Sequence, residues 1–487
     1  MGILEAVPSG WELRAAQKNI LLKVEEKFDS SDVFIIRAPV ALGKTLLAVT
    51  LARYIQRHKK WKSRILVPNN ILLEQYLSTF PSIHTLKKRE SYTCSLYEKQ
   101  TKKYSCGEHT QITGSAGKRG AYCKGCPYVG ALRKAQVMPY VSINYYTYLA
   151  YKMYGEALIV DEGHLIQSMI KDLAAKKLWH HEYHFPSYIR TYGQLARWVA
   201  EALTRKPNDR KLKELKEELD SNKVHYLVEK GQALYRNEER DCLKLIPVNI
   251  QNQPPILWPQ GKVKKLFFLS GTINRKDIED MGLGDRRVCV IDAPSPIPIE
   301  NRPIHLDLKF NLSAASQDRD VPALASYLLE LADSKPDRGF IHAPYSLANK
   351  LRPYLMDNPR FLFHSSSNKM SVFKEFQETE GKIMVASGMY EGIDLAGDLA
   401  RWQVITKVPW ANLTEPAMRY LADEDPEGYA NEAVRLVVQA YGRVCRSPTD
   451  YGETYLVDRS FNRLYIKHPD LFPGWFRDAI TNEQEVL

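Results

Sequence analysis

No stretch of this sequence approaches the roughly 18 to 20 consecutive apolar residues that span a bilayer. The start, Met-Gly-Ile-Leu-Glu-Ala, has no charged-then-apolar signal segment, and Gly2 lacks the Ser or Thr at position 6 that accompanies myristoylation. A cytoplasmic protein is therefore expected, and in that compartment structural disulfides are rare. No repeat of 20 to 50 residues and no low-complexity tail is present, which excludes solenoids and arrays. Acidic residues are in deficit: 57 Asp and Glu face 68 Lys and Arg, for a net charge of +11. Such an excess suits either a well-solvated surface or a polyanionic partner. At 487 residues the chain is too long for one core, and about three domains are expected.

What is present centres on Val33 to Val49. An apolar run, Val33 to Ile36, has the length of a buried strand. The chain turns through Ala38 to Gly43, reaches Lys44-Thr45, and continues with Leu47, Leu51 and Ile55 at helical spacing. Strand, tight loop, Gly-Lys-Thr and helix form the layout of a phosphate-binding loop. Backbone N–H groups and the helix N-terminus face an anion, Lys44 reaches the outer phosphates, and the Thr45 hydroxyl holds Mg²⁺. The usual first glycine is replaced by Ala38, so a chance Gly-Lys-Thr at a helix start is the plain alternative. A second apolar strand, Ala157 to Val160, runs into Asp161-Glu162. Carboxylates at the tip of a parallel strand sit where α/β folds bind ligands. Asp161 is suited to hold Mg²⁺ through water, and Glu162 to polarise the water that attacks a γ-phosphate. Near the end, Gln439-Ala-Tyr-Gly-Arg443-Val-Cys-Arg446 offers two arginines whose fixed, permanently charged forks suit a transferred phosphate. On a helix, residues three apart share a face.

Along the chain, strands alternate with helices in both halves, which predicts parallel α/β sheets. Candidate strands include 64–67, 140–143, 263–269, 339–342, 361–363, 383–385, 403–405 and 454–457. Residues 171 to about 245 are strongly charged and read as mostly helical. Between them the segment 87–134 has no clear periodicity and holds eleven Lys and Arg against three Glu. Four of the seven cysteines lie there: Cys94, Cys106, Cys123 and Cys126, with eleven, sixteen and two residues between them. Four thiolates in a small irregular insertion suit an iron–sulfur cluster or a tetrahedral Zn²⁺, and the spacing alone does not choose. The basic residues Lys87, Lys88, Arg89, Lys102, Lys103, Lys118, Arg119 and Lys124 are interleaved with Tyr92, Tyr97, Tyr104 and Tyr122. Cations follow phosphates and rings stack on bases, so this insertion is a candidate DNA contact. Cys242, Cys289 and Cys445 are isolated and read as packing residues.

These motifs, in this order, resemble the XPD/DinG-like iron–sulfur group of superfamily 2 DNA helicases, in a short form of phage or plasmid type. Around the nucleotide loop the family pattern is Ala-Pro-Thr-Gly-x-Gly-Lys-Thr. Ala38, Pro39, Gly43, Lys44 and Thr45 match it, while Val40 and Ala41 depart from its Thr and Gly. Arg14 and Gln17 resemble the adenine-reading Gln motif, and Pro68 to Gln75 resembles motif Ia. Asp161-Glu-Gly-His164 resembles the Asp-Glu-Ala-His box, with Gly163 in place of Ala. Ser270-Gly-Thr272 resembles motif III, Gly388 to Asp394 motif V, and Gln439 to Arg446 motif VI. Motif IV is weaker, with Tyr345 fitting and Pro344 at the expected Ser.

The resemblance implies an α/β fold of two RecA-like motor domains. Residues 1–86, 135–170 and 246–300 form the first and 301–487 the second. An iron–sulfur domain at 87–134 and a helical arch at 171–245 are inserted in the first. It implies ATP with Mg²⁺ held by Lys44, Thr45, Asp161 and neighbours including Ala38, Gly43, Arg14, Gln17 and Asp394. Glu162 would activate water, and Arg443, Arg446 and Gln439 would act on the γ-phosphate. Glu391 and Asp394 would link closure to DNA grip, and His164 and Thr272 would couple the two sites. The family position favours 4Fe-4S over Zn²⁺ at Cys94, Cys106, Cys123 and Cys126. The implied activity is ATP-dependent 5′→3′ translocation on single-stranded DNA with duplex unwinding. A single-strand translocase that does not separate strands is the alternative. Single-stranded and forked DNA are the expected partners of a monomer.

Overall fold

Four apolar residues followed by Arg37 form strand β1, Val33–Arg37, buried at every position. In chain order follow β2 (Ser63–Val67), β3 (His84–Leu86), β4 (Tyr140–Asn144), β5 (Ala157–Asp161), β6 (Lys176–Trp179), β7 (Tyr226–Tyr235), β8 (Glu238–Pro247), β9 (Lys265–Ser270) and β10 (Val288–Asp292). Seven of these make one sheet in the order β10-β1-β9-β5-β2-β4-β3. β5 pairs parallel with both β9 and β2, and β2 and β3 pair parallel with β4. The computed structural model describes residues 2–94, 105–108, 126–221, 225–235, 238–248, 250–251, 257–259, 261–313, 315–390, 393, 395–414 and 416–481.

β1, β2, β5 and β9 are buried along their whole length. A parallel strand covered on both faces needs such a continuous apolar run, because helices pack on either side. The order β1-β9-β5 has a consequence for chemistry. The loop after β1, the end of β9 at Ser270 and the end of β5 at Asp161 emerge at one edge of the sheet, with Asp161 in register with Leu269. That carboxyl edge is where open α/β sheets hold ligands.

Between β5 and β9 the segment expected to be helical is mixed. The helices Tyr192–Arg205 and Arg210–Asp220 pack on an antiparallel sheet of order β6-β8-β7. The charged repeats of 211–219 are helical as expected, while 226–247 form a long hairpin. Its strand character comes from tertiary packing. Tyr226, Val228, Leu243 and Leu245 alternate inward onto Leu195, Trp198, Leu212 and Leu219, and this period-2 burial overrides the helical preference of the intervening Lys and Glu.

The second half carries β11 (Ile304–Phe310), β12 (Gly339–His342), β13 (Phe361–Phe363), β14 (Ile383–Ala386), β15 (Trp402–Ile405) and β16 (Glu453–Asp458). They form one sheet, β11-β16-β15-β12-β14-β13, in which every neighbouring pair is parallel. The chain thus folds as two compact units. One comprises Met1–Ile36, Lys44–Ile291 and Glu415–Arg419, the other Arg37–Gly43, Asp292–Thr414 and Tyr420–Leu487. Among the described residues no helix is long and apolar enough to cross a membrane.

Candidate functional site

The loop after β1 is wound tightly by two left-handed residues, Ala41 at φ 65° and Gly43 at φ 82°. It delivers Lys44 as the first residue of a sixteen-residue helix, Lys44–Lys59. The first N–H groups of a helix have no intrahelical partner, and its positive end favours an anion. Lys44 Nζ lies 3.2 Å from Glu162 Oε1. Thr45 is half-buried beside it.

Asp161, at the tip of β5, is 2% exposed. Its carboxylate accepts a hydrogen bond from the Tyr76 hydroxyl at Oδ2, 2.9 Å, and from the Glu162 N–H at Oδ1, 3.0 Å. The Tyr145 hydroxyl donates to the Asp161 backbone carbonyl at 2.7 Å. Burial raises the Asp161 carboxyl above its usual range and the adjacent Glu162 adds to the rise, while Lys44 and Tyr76 work against it. A nearby cation is what this buried carboxylate calls for electrostatically. Glu162 sits at φ 49°, a left-handed turn that ends the strand and swings its side chain toward Lys44. Glu162 Oε2 is 3.5 Å from His164 Nδ1, which is 2.8 Å from Ser270 Oγ. Ser270 Oγ accepts from the Thr272 N–H at 3.2 Å. One polar chain therefore runs Lys44, Glu162, His164, Ser270 and Thr272. At Gly163 an added Cβ would stand 3.2 Å from Phe268 Cβ and 3.3 Å from Ile273 Cδ1. An alanine there would need these neighbours to give by a few tenths of an ångström.

Gln17 is buried and its Oε1 accepts the Arg14 N–H at 2.9 Å, closing the first turn of helix Ala15–Lys27. Arg14 itself is exposed. The carbonyl end of the Gln17 amide is thus engaged in capping its own helix.

In the second unit, Arg443 Nε donates to the Tyr390 carbonyl at 3.0 Å and its Nη1 to the Ile393 carbonyl at 2.9 Å. The arginine of one motif is thereby fastened to the backbone of the other. Arg446 Nη1 donates to the Gly442 carbonyl at 3.3 Å, and its N–H to Asp450 Oδ2 at 3.0 Å. The expectation that the two arginines share a helical face is corrected. Helix Pro426–Tyr441 ends before them at the cap residue Gly442, and both follow in the turn beyond. Gln439, inside the helix, is buried, with Oε1 lacking a hydrogen-bond partner among the described residues. Glu391, Gly392 and Asp394 lie outside the described residues.

A family model described as the helicase C-terminal domain matches residues 328–479, and one described as the type III restriction enzyme res subunit matches residues 10–190. The ATP-dependent DNA helicase YoaA of Haemophilus influenzae is 25% identical over 169 residues, covering 32% of this chain and 26% of that protein. The ATP-dependent DNA helicase DinG of Photobacterium profundum is 30% identical over 136 residues, covering 25% of this chain and 20% of that protein. These matches span about a quarter of the relatives' own length. A solved XPD helicase superposes with a TM-score of 0.60 at 14% identity, covering 96% of this chain and 98% of that one. The S. tokodaii Xpd4 structure gives 0.53 at 12% identity over 94% and 98%. The chain is thus similar in sequence to helicases of the DinG and YoaA kind and shares the fold of the XPD structures.

In this chain the cysteine-bearing segment is partly described. Cys94 and Cys126 are buried and Cys106 half-buried, with the Cys106 N–H donating to the Tyr92 carbonyl at 2.8 Å. Burial pushes the Cys106 thiol up to about 11, and the Cys126 and Cys94 thiols beside it contribute. Cys126 is the stronger influence on Cys106, and Cys94 adds a weaker one. Among the described residues no group of three or more Cys, His, Asp or Glu is arranged to hold a metal ion, and Cys123 lies outside them. Two of the basic residues expected to meet DNA are engaged within the fold. Lys87 pairs with Glu74, and Arg89 donates to the Tyr151 hydroxyl at 2.6 Å and lies over the Tyr128 ring. Tyr92 packs edge-on against Tyr128 at 5.4 Å. Lys102, Lys103, Lys118, Arg119, Lys124, Tyr97, Tyr104 and Tyr122 lie outside the described residues. The sequence reading missed Tyr76 and Tyr145 as partners of Asp161. Nothing local marks them, since each acts on a residue far along the chain.

Proposed function

We propose that this protein is an ATP-dependent DNA helicase that moves 5′→3′ along single-stranded DNA and unwinds duplex. The observation that carries the reading is the Lys44–Glu162 pair beside buried Asp161, continued through His164 to Ser270. A cation at a helix N-terminus, a buried carboxylate and a second carboxylate within reach of both are the parts phosphoryl transfer needs.

Residues 1–86, 135–170 and 246–300 act as one motor domain and 301–487 as the other, with 87–134 and 171–245 as insertions. Thr45 and Asp161 would hold Mg²⁺, which neutralises charge on the outer phosphates when bound. Asp161 would act through water: each of its oxygens accepts one protein hydrogen bond and keeps a further lone pair for such a water. Lys44 leaves Glu162 for the γ-phosphate. The freed Glu162 accepts a hydrogen bond from the attacking water and then its proton, while His164 keeps the carboxylate oriented. The Ala38–Gly43 backbone cradles the phosphates, and Arg14 and Gln17 face the base. Arg443 and Arg446 stabilise charge on the transferred phosphoryl group, Gln439 orients it, and Asp394 links that event to the grip on DNA. Cys94, Cys106, Cys123 and Cys126 would hold a 4Fe-4S cluster, with Zn²⁺ the lesser alternative. Iron against zinc content of anaerobically purified protein separates these. The partners are single-stranded and forked DNA, the working form is a monomer, and the compartment is the cytoplasm.

Strand displacement on matched duplexes with a 5′ or a 3′ single-stranded tail, with and without ATP, tests the reading. ATP-dependent unwinding of the 5′-tailed substrate alone is expected. Unwinding from the 3′ tail alone overturns the polarity. DNA-stimulated ATPase with no displacement replaces the helicase with a translocase.

A further inference from the structure

Three fully buried polar side chains cross the middle of the second sheet. His342 ends β12, Gln403 lies on β15 and Thr454 on β16, each at most 1% exposed. Gln403 is in register with Phe340 on one side and Thr454 on the other. His342, two residues beyond Phe340, is thus its diagonal neighbour on the same face. His342 Nε2 and Gln403 Oε1 are 3.1 Å apart. An amide oxygen only accepts, so the imidazole donates from Nε2. The Gln403 amide then spends both its protons: one on Thr454 Oγ1 at 2.9 Å and one on the Tyr441 carbonyl at 3.1 Å.

That last bond matters because Tyr441 closes helix Pro426–Tyr441. The last carbonyls of a helix have no intrahelical partner, and a buried one needs a donor from elsewhere. Gln403 is that donor, and Arg443 leaves the helix two residues later. The other face of His342 carries a second connection. Its ring stacks on Tyr390 at 5.4 Å and 15°. The Tyr390 carbonyl in turn accepts from Arg443 Nε. The imidazole therefore supports both restraints on Arg443: the helix end through Gln403, and the carbonyl that holds its guanidinium through Tyr390.

We propose that His342 and Gln403 are positioning residues for Arg443, fixing the direction in which its guanidinium is presented. The His342 N–H sets the orientation of the Gln403 amide, and the amide sets where the helix stops. Apolar side chains would fill this sheet interior without unsatisfied polar atoms, as Phe340, Met384 and Ala386 do beside them. A polar relay there earns its place by what it orients. Burial pushes His342 down to about 4, with the Arg443 charge contributing, so the neutral ring that donates from Nε2 is the form present at neutral pH.

The inference rests on the assignment of Arg443 to the transferred phosphate, and the test separates the two. Gln403→Met keeps length and volume and removes both amide groups. In the full-length protein it is expected to lower kcat of single-strand-stimulated ATP hydrolysis about tenfold, with KM for ATP and affinity for single-stranded DNA within about twofold. In an Arg443→Ala background the same substitution is expected to cost less than about twofold, because the arginine it positions is gone. His342→Phe keeps an aromatic ring to stack on Tyr390, removes the Nε2 donor, and is expected to behave alike. It serves if Gln403→Met does not fold. Equal losses in both backgrounds, or an unchanged kcat in the Arg443-containing protein, overturn the positioning role. An Arg443→Ala variant with normal kcat instead overturns the phosphate assignment itself.

Discussion

The Tyr76 hydroxyl donates to Asp161 Oδ2 at 2.9 Å, and both side chains are buried. Tyr76 lies on helix Asn70–Thr79, whose start after β2 was legible from Pro68-Asn-Asn70. The bond holds one carboxylate oxygen while the Glu162 N–H holds the other. Tyr76→Phe removes it without changing the ring. The exposed consequence is an unsatisfied buried oxygen, worth about 1–3 kcal/mol of stability. Urea denaturation is expected to show a loss in that range. The Mg²⁺ concentration that half-saturates ATP hydrolysis is expected to rise several-fold. An unchanged Mg²⁺ requirement would remove the link between Tyr76 and the metal site.

Ala41 occupies a left-handed conformation, φ 65°, in a loop where the related pattern has glycine. A Cβ in that region costs roughly 1–2 kcal/mol, partly offset because glycine loses more freedom on folding. Ala41→Gly is expected to raise stability by about 0.5–1 kcal/mol. Removing the Cβ also lets the backbone approach the phosphates more closely, so KM for ATP is expected to fall several-fold with kcat unchanged. Thermal unfolding and steady-state kinetics check the two parts separately.

Many sheet strands of both units were legible because parallel strands buried on two faces tend to be continuous apolar runs. Residues 33–36, 157–160 and 339–342 could be read directly, and the candidate residues that follow the first two, Lys44, Asp161 and Glu162, are brought close together. The edge strands β3, β10 and β11 were not legible: β3 has only three residues, and β10 and β11 interrupt their buried positions with exposed and half-buried ones, so neither reads as a continuous apolar run. The hairpin 226–247 was hidden for a different reason: its Lys, Glu and Arg content suits a helix, and only packing onto Trp198 and Leu212 reveals its two-residue period. Tyr76 and Gln403 escaped notice because each meets its partner across a long sequence separation, 85 residues from Tyr76 to Asp161 and 61 from His342 to Gln403. The helix break at Gly442 moved Arg443 and Arg446 off a helical face that their spacing alone suggested.

Lys44 and Glu162 neutralise each other at 3.2 Å. Either partner's removal acts on hydrolysis through a different step. Lys44→Ala deletes the phosphate cation and is expected to weaken nucleotide binding and abolish turnover. Glu162→Gln leaves the cation, frees it from an opposing charge and removes the base. Nucleotide affinity equal to or tighter than the parent's is expected, with turnover reduced at least about a hundredfold, the lower bound for loss of a general base. Single-strand binding is expected to persist in both. Fluorescent-nucleotide titration beside ATPase assays distinguishes the two, and normal turnover in either variant would remove the site assignment.

Cys126 and Cys106 lie together in the insertion, with Cys94 near enough to raise the Cys106 thiol further. Replacing Cys123, the fourth thiol, by Ser is expected to lower bound iron and to reduce strand displacement more than DNA-independent ATPase. Metal analysis and both assays on one preparation check this. A fully active, metal-free Cys123→Ser protein would sink the cluster's role.

Glu453, on β16, pairs with Lys335 at 2.7 Å, lies 3.6 Å from His305 and accepts from the Tyr455 hydroxyl. The His305 contact, then Lys335 and Tyr455, hold its carboxyl down at about 2, below the ordinary 4.5. A carboxylate with a depressed folded-state value binds its proton more weakly when folded. Its stabilisation is therefore complete above about pH 4.5 and is lost as pH falls from there toward 2. The side chain is 35% exposed, so solvent screening reduces the contribution to about 1–2 kcal/mol. Glu453→Gln is expected to lower stability by that amount at pH 7, with the difference from the parent shrinking below pH 4.5 and closing near pH 2. Denaturant unfolding across that range, followed on the second unit by a probe at Trp402 or Trp475, measures it. A pH-independent difference would mean that packing, rather than the charge of Glu453, sets its contribution.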